Sequence, residues 1–241
     1  MHSRHIPPEI LSEIFLQCLD FTSWSDRDEP MLCSPDDAPH LLTQVCRSWR
    51  TVAMSTPRLW STLSLPDVPI TSEQCECLYA QVQVWLSLSR SLPLSFTLRM
   101  DDEDAVALHR YVSLLQTEIH RWKVARFEVS RNSIRSFPVF EPGSTPLLEE
   151  FCLNGIVDTD GEGVPTVMTA LASAPRLYEL ELHHNKTYHW ALPWASLTTL
   201  NIFDYTSDFK TECLAHFCEM LGACPSLESL SFGVSTSTSG L

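Results

Sequence analysis

Three histidines close to a carboxylate are the residues of this sequence that most resemble a metal site. The segment HHNKTYH contains His183, His184 and His189, and Glu181 lies two residues before the first of them. A metal site needs three or four ligands that converge on one point. His183 and His184 are neighbours, so on a strand their side chains would point to opposite faces. We interpret the segment as a polar loop after a strand and predict no metal site, although metal analysis would test a metal-dependent enzyme.

Two groups of cysteines raise the same question. Cys75 and Cys77 fall on a predicted helix, where residues two positions apart do not face each other. Cys213 and His216 could share a face of a later predicted helix, whereas Cys218 belongs with the apolar positions of that helix. Both groups are interpreted as parts of partly buried helices rather than as redox or zinc pairs.

Motifs for phosphate binding or nucleophilic catalysis are missing from the sequence. There is no glycine-rich phosphate loop, nucleophile elbow, His-Glu-x-x-His motif or kinase signature. The 7 glycines are scattered singly, which leaves little material for phosphate cradles or strained turns. The chain is therefore predicted to have no catalytic residues and no cofactor.

Composition limits the class of partner. The 241 residues include 16 Lys+Arg and 30 Asp+Glu, a formal charge of −14, so that phosphate backbones and anionic membranes would be repelled. The start, Met-His-Ser-Arg-His, lacks the apolar core of a signal peptide, and no apolar run is long enough to cross a bilayer. Nine cysteines, an odd number, then indicate reduced thiols that are mostly small core residues. We expect a cytoplasmic or nuclear protein that binds neither nucleic acid nor membrane.

Two amphipathic helices are predicted in the first sixty residues. Pro7-Pro8-Glu9 favours a helix start, because proline is tolerated in the first turn and a carboxylate suits the positive end of the dipole. Helical spacing then relates Ile10, Leu11, Ile14, Phe15, Cys18 and Leu19. A second helix is predicted from the spacing of Leu42, Val45, Cys46, Trp49, Val52 and Ala53, and Pro57 ends it.

The predicted helices form a small domain over residues 1–62 that contains an acidic, flexible loop at residues 21–40. About 60 residues of short helices cannot bury enough surface to be comfortably stable alone. Their apolar faces must therefore contact the rest of the chain or another protein.

The same sixty residues resemble an F-box of the form abundant in basidiomycete fungi. That family has a Leu-Pro start, an Ile/Leu-rich first helix, a Val-Cys-x-x-Trp second helix and a Pro-x-Leu-Trp ending. Here IPPEILSEIFLQCL begins with Ile6-Pro7 in place of Leu-Pro, and LLTQVCRSWRTVAMSTPRLW follows. The matching positions of that second segment are Val45, Cys46, Arg47, Trp49, Arg50, Pro57, Leu59 and Trp60.

The resemblance implies a partner, because F-boxes dock onto the small adaptor of SCF-type cullin–RING ubiquitin ligases and through it onto a cullin. Aromatic and aliphatic anchors at the centre of an interface suit such docking. The adaptor-binding residues predicted in this way are Ile6, Pro7, Pro8, Ile10, Leu11, Ile14, Phe15, Leu19, Leu42, Val45, Cys46 and Trp49.

A repeat occupies residues 63–241. Four clear copies, LLEEFCLNG, RLYELELHH, SLTTLNIFD and SLESLSFGV, have the first apolar position of their shared pattern at Leu148, Leu177, Leu197 and Leu227, and WSTLSL, PLSFTL and VARFEV are weaker copies. Each copy alternates apolar and polar residues, as a half-buried strand does, and helix-length segments separate them. The spacing resembles leucine-rich repeats, a common companion of F-boxes. We therefore predict an α/β fold: a small helical F-box joined to an irregular leucine-rich-repeat solenoid with a parallel concave sheet.

The polar positions of the repeats are predicted to face the concave surface and to bind a protein client, although they could also be simply solvated. The surface leans acidic, which favours a client with a basic segment. The predicted client-binding residues are Arg126, Glu128, Glu150, Asn154, Glu179, Glu181, His183, Asn201 and Phe203, and Cys152 shares their face.

Together these features predict a substrate-recognition subunit of an SCF-type ubiquitin ligase that is not itself an enzyme. The alternative is a leucine-rich scaffold whose F-box-like segment caps the first repeat and recruits no ligase. Only STSTSGL follows the last predicted strand, so no helix covers its apolar flank. Since solenoids need capping units, we expect that a C-terminal portion is missing from this sequence.

Overall fold

The computed structural model describes residues 6–19, 36–65, 72–100, 105–129, 137–157, 166–185, 192–204 and 218–234. The fold is α/β, and the chain divides into two compact units at residues 1–97 and 98–241. The first unit therefore contains the first repeat strand and the helix after it as well as the F-box-like helices. The domain division at residue 62 stays a prediction.

After the first three helices, strands and helices mostly alternate along the chain. The helices are α1 (Pro8–Gln17), α2 (His40–Val45), α3 (Arg47–Ser55), α4 (Ser72–Leu88), α5 (Ala105–Gln116) and α6 (Thr166–Leu171). The strands are β1 (Thr62–Leu65), β2 (Leu94–Met100), β3 (Trp122–Val129), β4 (Glu150–Val157), β5 (Glu179–Asn185), β6 (Thr199–Asp204) and β7 (Ser229–Val234).

The first predicted helix is confirmed, whereas the second is wrong as a single element. α1 begins at Pro8, with Glu9 in its first turn. Between α2 and α3, Cys46 is extended (φ −160°, ψ 171°), and its Sγ accepts a hydrogen bond from the Trp49 backbone N–H. Cys46 thus caps α3 instead of continuing α2, so that the apolar positions from Leu42 to Ala53 do not form one stripe.

Aromatic side chains build the core of the first unit. The Phe15 ring lies 4.9 Å from the Trp49 ring, and the Trp60 ring lies 4.9 Å from the Trp85 ring. The buried Trp60 Nε1 donates to the Ala53 carbonyl, 2.9 Å away, and therefore fixes the Pro57–Trp60 turn against α3. A buried indole N–H needs such a partner.

All seven predicted strand segments are strands. In the second unit, the strands from β3 to β7 lie side by side in chain order, and their pairs are parallel. The same hydrogen bond joins successive repeats just before each strand: Glu149 N to Lys123 O, Tyr178 N to Glu149 O, Thr198 N to Tyr178 O and Glu228 N to Thr198 O. The recurrence of this bond makes the repeat a structural unit as well as a sequence pattern.

The segments between strands are less regular than predicted. Helices α4, α5 and α6 connect three pairs of strands, and residues 218–222 are helical before β7. Within the described residues 137–149, between β3 and β4, there is no helix. The described residues between β5 and β6, 192–198, contain only the short 3-10 turn Trp194–Ser196.

One face of the sheet forms the core of the second unit. Apolar residues at alternating positions along β3–β6 are buried, including Phe127, Leu153, Leu182 and Leu200. On β7 the equivalent apolar residues are exposed, the largest being Leu230 and Phe232. The segment 235–241 lies outside the described residues.

The cysteines differ from the prediction that most are core residues. The described cysteines are free thiols, but only Cys152 and Cys224 are buried. Cys218, which was assigned to an apolar stripe, is exposed, while Cys213 and His216 lie outside the described residues. In the part of the chain that the structure describes, no helix has the length and apolar character to cross a membrane.

Candidate functional site

Helix α1 presents a row of exposed isoleucines, here called the isoleucine face. It consists of Ile6, Ile10 and Ile14, whose side chains are 52%, 55% and 45% exposed. Ile10 and Ile14 lie four positions apart and therefore on the same side of α1, roughly 6 Å apart along its axis, and Ile6 lies two residues before the helix. Large aliphatic side chains that stay this exposed in a row are available for contact with another molecule.

Four of the predicted adaptor contacts lie on the inner side instead. Leu11, Phe15, Leu19 and Leu42 are buried, with exposed fractions of 6% or less. In this conformation such side chains have no surface to offer a partner. They hold α1 and α2 in place and so position the isoleucine face.

The remaining predicted adaptor contacts lie between these extremes. Val45 is 55% exposed, Leu41 on the same helix is 45% exposed, and Cys46 is exposed. Pro7 and Pro8 are exposed at the start of α1, whereas Trp49 is half-buried against Phe15. The predicted set is thus a mixture of surface residues and supporting core residues.

The nine predicted client-binding residues all lie on one face of the sheet, here called the polar sheet face. The strand register places them in three rows across β3–β6. The rows are Val124, Glu150, Glu179 and Thr199; Arg126, Cys152, Glu181 and Asn201; and Glu128, Asn154, His183 and Phe203. The alternation of the repeats therefore predicted this surface correctly as a set of neighbours.

Ion pairs on the polar sheet face leave an acidic excess in its centre. Arg126 contacts Glu150 at 3.2 Å (Nη2 to Oε2), and Arg99 contacts Glu128 at 3.0 Å (Nε to Oε2). With these two cations paired, Glu179 and Glu181 remain as carboxylates beside them. This arrangement suits a positively charged ligand.

The two central glutamates differ in their titration. Burial, followed by repulsion from Glu150, raises the pKa of Glu179. The hydrogen bond from His183, at 2.6 Å between Nε2 and Oε1, is the main cause that lowers the pKa of Glu181. Folding thus disfavours the negative charge of Glu179 and favours that of Glu181.

Three potential metal-ligating atoms converge where β4 and β5 meet. Cys152 lies beside Glu181 in the register, and the Sγ of Cys152, a carboxylate oxygen of Glu181 and a ring nitrogen of His183 lie within 4.8 Å of one another. Burial, followed by the charge of Glu181, raises the pKa of the Cys152 thiol. The sequence argument missed this group because it considered only residues that are close to the histidines in the chain. The interpretation of His183 as part of a loop is also wrong, since His183 lies within β5. The side chain of His184, and His189, lie outside what the structure describes.

An aromatic pair adjoins this group. The Phe203 ring stacks on the His183 ring, with 4.6 Å between centroids and 30° between planes. Gly233 on β7 makes room for it, since a Cβ there would lie 2.7 Å from Phe203 Cδ1. The stacked His183 ring is the one that contacts the carboxylate of Glu181.

Two residues that bond to carboxylates of the polar sheet face, Tyr178 and Arg99, were not predicted as part of it. The hydroxyl of Tyr178 donates to Glu150 Oε1 at 3.0 Å, and burial together with this bond raises the pKa of Tyr178 to about 12. Arg99 lies on β2, whose sequence copy is one of the weaker ones. Extending the alternation to that copy would have placed Arg99 on the polar sheet face, whereas Tyr178 precedes its strand and gives no such indication.

A pocket of about 380 Å³ in the first unit was also not predicted. It is lined by apolar side chains that include Trp60, Trp85 and Val84, and by His40. His40 lies with its ring edge-on to both tryptophans, and burial lowers its pKa. Aromatic packing of this kind is typical of a structural histidine.

Comparison of the chain with models of known protein families and with characterised proteins finds no match.

Proposed function

We propose that this protein is the substrate-recognition subunit of an SCF-type cullin–RING ubiquitin ligase. The F-box-like helices would dock the adaptor, and an irregular leucine-rich-repeat solenoid would hold the client. Catalysis would be by proximity: the assembly keeps a client lysine near an activated ubiquitin and so raises its effective concentration. The proposal places the protein in the cytoplasm or nucleus. It gives the protein itself no catalytic role.

The observation that carries the proposal is the isoleucine face. Phe15 and Leu11 use the inner side of α1 for the core, which leaves Ile10 and Ile14 without a role in folding the unit. Protein interfaces of standard size bury roughly 800 Å² per partner around apolar anchors. Exposed side chains of α2, Leu41 and Val45, add apolar surface of the same kind.

The adaptor interface is tested by pull-down of the purified adaptor with the full chain. We expect Ile10→Asp with Ile14→Asp to lower adaptor affinity by at least roughly 100-fold, because buried charge in an apolar interface is costly. The thermal midpoint of unfolding should change little, since both side chains are already exposed.

The control is Val139→Asp, which adds one negative charge at an exposed aliphatic residue outside the isoleucine face and should leave capture unchanged. Val45→Asp provides a second test on α2 should the double variant lose its fold. Adaptor capture at full affinity by a folded Ile10→Asp/Ile14→Asp variant would contradict the proposal.

The polar sheet face supports a client with a basic segment. Its charges are unequal, because Arg126 is already paired with Glu150 while Glu179 and Glu181 lie beside it. Burial and then repulsion from Glu150 raise the pKa of Glu179, and a lysine or arginine of the client would offset the repulsion. Such binding should weaken as salt is added, because these charges are only partly buried.

Charge reversal tests this surface. Glu179→Lys with Glu181→Lys should abolish the binding of a labelled lysine- and arginine-rich peptide, measured by fluorescence anisotropy, and create binding to an acidic peptide of equal length. Glu228→Lys, an exposed glutamate outside the three rows, is the control. If the double variant bound the basic peptide like the original protein, the client surface would lie elsewhere.

A second candidate is the non-ligase scaffold, in which the helical segment caps the first repeat. It is favoured by the packing of the Pro57–Trp60 turn against α1, β1 and α4 within the first unit. Co-purification separates the two functions: a scaffold would retain its repeat partner but would bring down no adaptor and no cullin.

A further inference from the structure

We propose that Cys152, Glu181 and His183 form a zinc-binding site on the polar sheet face. The site goes beyond the ligase function, and its failure would leave the adaptor interface untouched. The argument rests on the convergence, the chemistry and the charge of these three side chains.

The strand register creates the convergence. Cys152 on β4 pairs with Glu181 on β5, and Asn154 pairs with His183, so that the three residues occupy adjoining positions of two rows. Their ligand atoms lie within 4.8 Å of one another, and His183 Nε2 already contacts Glu181 Oε1 at 2.6 Å. Donors in a tetrahedral zinc site are separated by roughly 3.3–3.7 Å, given metal–ligand distances of about 2.0–2.3 Å. Side-chain movements of about 1 Å would therefore bring the three donor atoms to these separations.

The types of donor select the metal. A thiolate, an imidazole and a carboxylate are the ligands that zinc takes in proteins, whereas calcium and magnesium prefer oxygen donors alone. Three protein ligands leave one position for water. A side-chain hydrogen bond also joins Glu181 to Asn201, which would hold the carboxylate in orientation as outer partners of metal ligands do.

Charge also favours a divalent cation at this position. The Glu181 carboxylate lies within 4.8 Å of the Cys152 sulfur, so that a thiolate formed there would meet a negative charge. A zinc ion would neutralise the thiolate and the Glu181 carboxylate together, and the thiol proton would leave to solvent as the zinc–sulfur bond forms. Arg126 is the nearby cation that opposes binding, but its charge is offset by Glu150 at 3.2 Å.

Cys152 and Cys224, which are both buried among the cysteines that the structure describes, allow a matched test. The full chain is treated with a chelator and titrated with Co²⁺, which reports thiolate ligation through a sulfur-to-cobalt charge-transfer band in the near ultraviolet. Zinc affinity is then measured by competition with a chromophoric chelator. We expect one charge-transfer site per chain, which zinc displaces.

Cys152→Ser should remove the charge-transfer band and weaken zinc binding by at least roughly tenfold. Cys224→Ser, at the other buried thiol, should retain both. His183→Gln and Glu181→Gln should each weaken zinc binding, and these half-buried positions provide the test if Cys152→Ser does not fold. The site would be refuted by a missing band in the original chain, by a band that survives Cys152→Ser, or by equal losses in both cysteine variants.

Discussion

The F-box-like helices and the polar sheet face divide their residues between core and surface in different ways. In α1, Ile14 and Phe15 are neighbouring apolar residues, yet the first is exposed and the second is fully buried. In β5, Glu181 and Leu182 are also neighbours, but one is charged and the other is apolar. Their side chains alone therefore predict that Leu182 faces the core. A strand alternates strictly between two faces, whereas an apolar helix can turn either side inward. Packing alone decides which side of the helix faces the core.

The two surfaces also differ in the force that would hold a partner. The isoleucine face has apolar side chains, so binding there should depend on buried area and little on salt. The polar sheet face contains charges that are only partly buried, so binding there should weaken as salt is added. One chain thus combines an apolar surface and an electrostatic surface.

The largest effect should come from breaking the helical core. Phe15→Ala should lower the free energy of unfolding by about 3–5 kcal/mol, because it leaves a cavity next to Trp49. Ile14→Ala, its neighbour, should cost less than about 1 kcal/mol, since its side chain is already 45% exposed. Urea unfolding of the first unit measures both. Equal losses would mean that Ile14 is also covered.

A smaller difference should separate two register partners of the sheet. Leu200 is fully buried, and Leu230, its partner on β7, is 42% exposed. Leu200→Ala should cost about 2–5 kcal/mol, while Leu230→Ala should cost about 1 kcal/mol or less. Thermal unfolding followed by circular dichroism compares them. A large loss at Leu230 would indicate that another part of the molecule covers β7.

The smallest effect should distinguish the two central glutamates. Folding raises the pKa of Glu179, so its charge costs stability once the pH exceeds its ordinary value of 4.5, and fully above the raised value. Folding lowers the pKa of Glu181, so its charge stabilises the protein above 4.5, and this gain is lost as pH falls through the lowered value. At pH 7, Glu179→Gln should therefore stabilise and Glu181→Gln should destabilise the protein, each by ~0.5 kcal/mol after solvent screening.

Urea unfolding at pH 7 and at pH 4 tests these signs. The difference between each variant and the original protein should shrink at pH 4, which lies below the ordinary value of 4.5. Glu179 then binds a proton in both states, and the folded state loses part of the advantage that charged Glu181 gives it. The same sign for both variants would show that His183 and Glu150 do not set the two pKa values apart.

The sequence predicted the strands better than the helices. The alternation in LLEEFCLNG and its copies places Glu150, Glu179 and Thr199 in one row of the sheet, as the structure has them. The spacing from Leu42 to Ala53 predicted one helix, which extended backbone at Cys46 interrupts. Period alone could not reveal this break, because a cysteine that caps a helix and a cysteine inside a helix fit the same spacing.

The amino-acid sequence by itself determined the repeat, the strand positions and the residues of the polar sheet face. These follow from local alternation, which every strand must obey. Only the tertiary structure decided that Ile10 faces outward while Leu11 faces inward, and that Cys152 lies beside Glu181 and His183. Both outcomes depend on which segments pack together across many residues of chain. Residues 29 positions apart, such as Cys152 and Glu181, become neighbours through the parallel register of their strands.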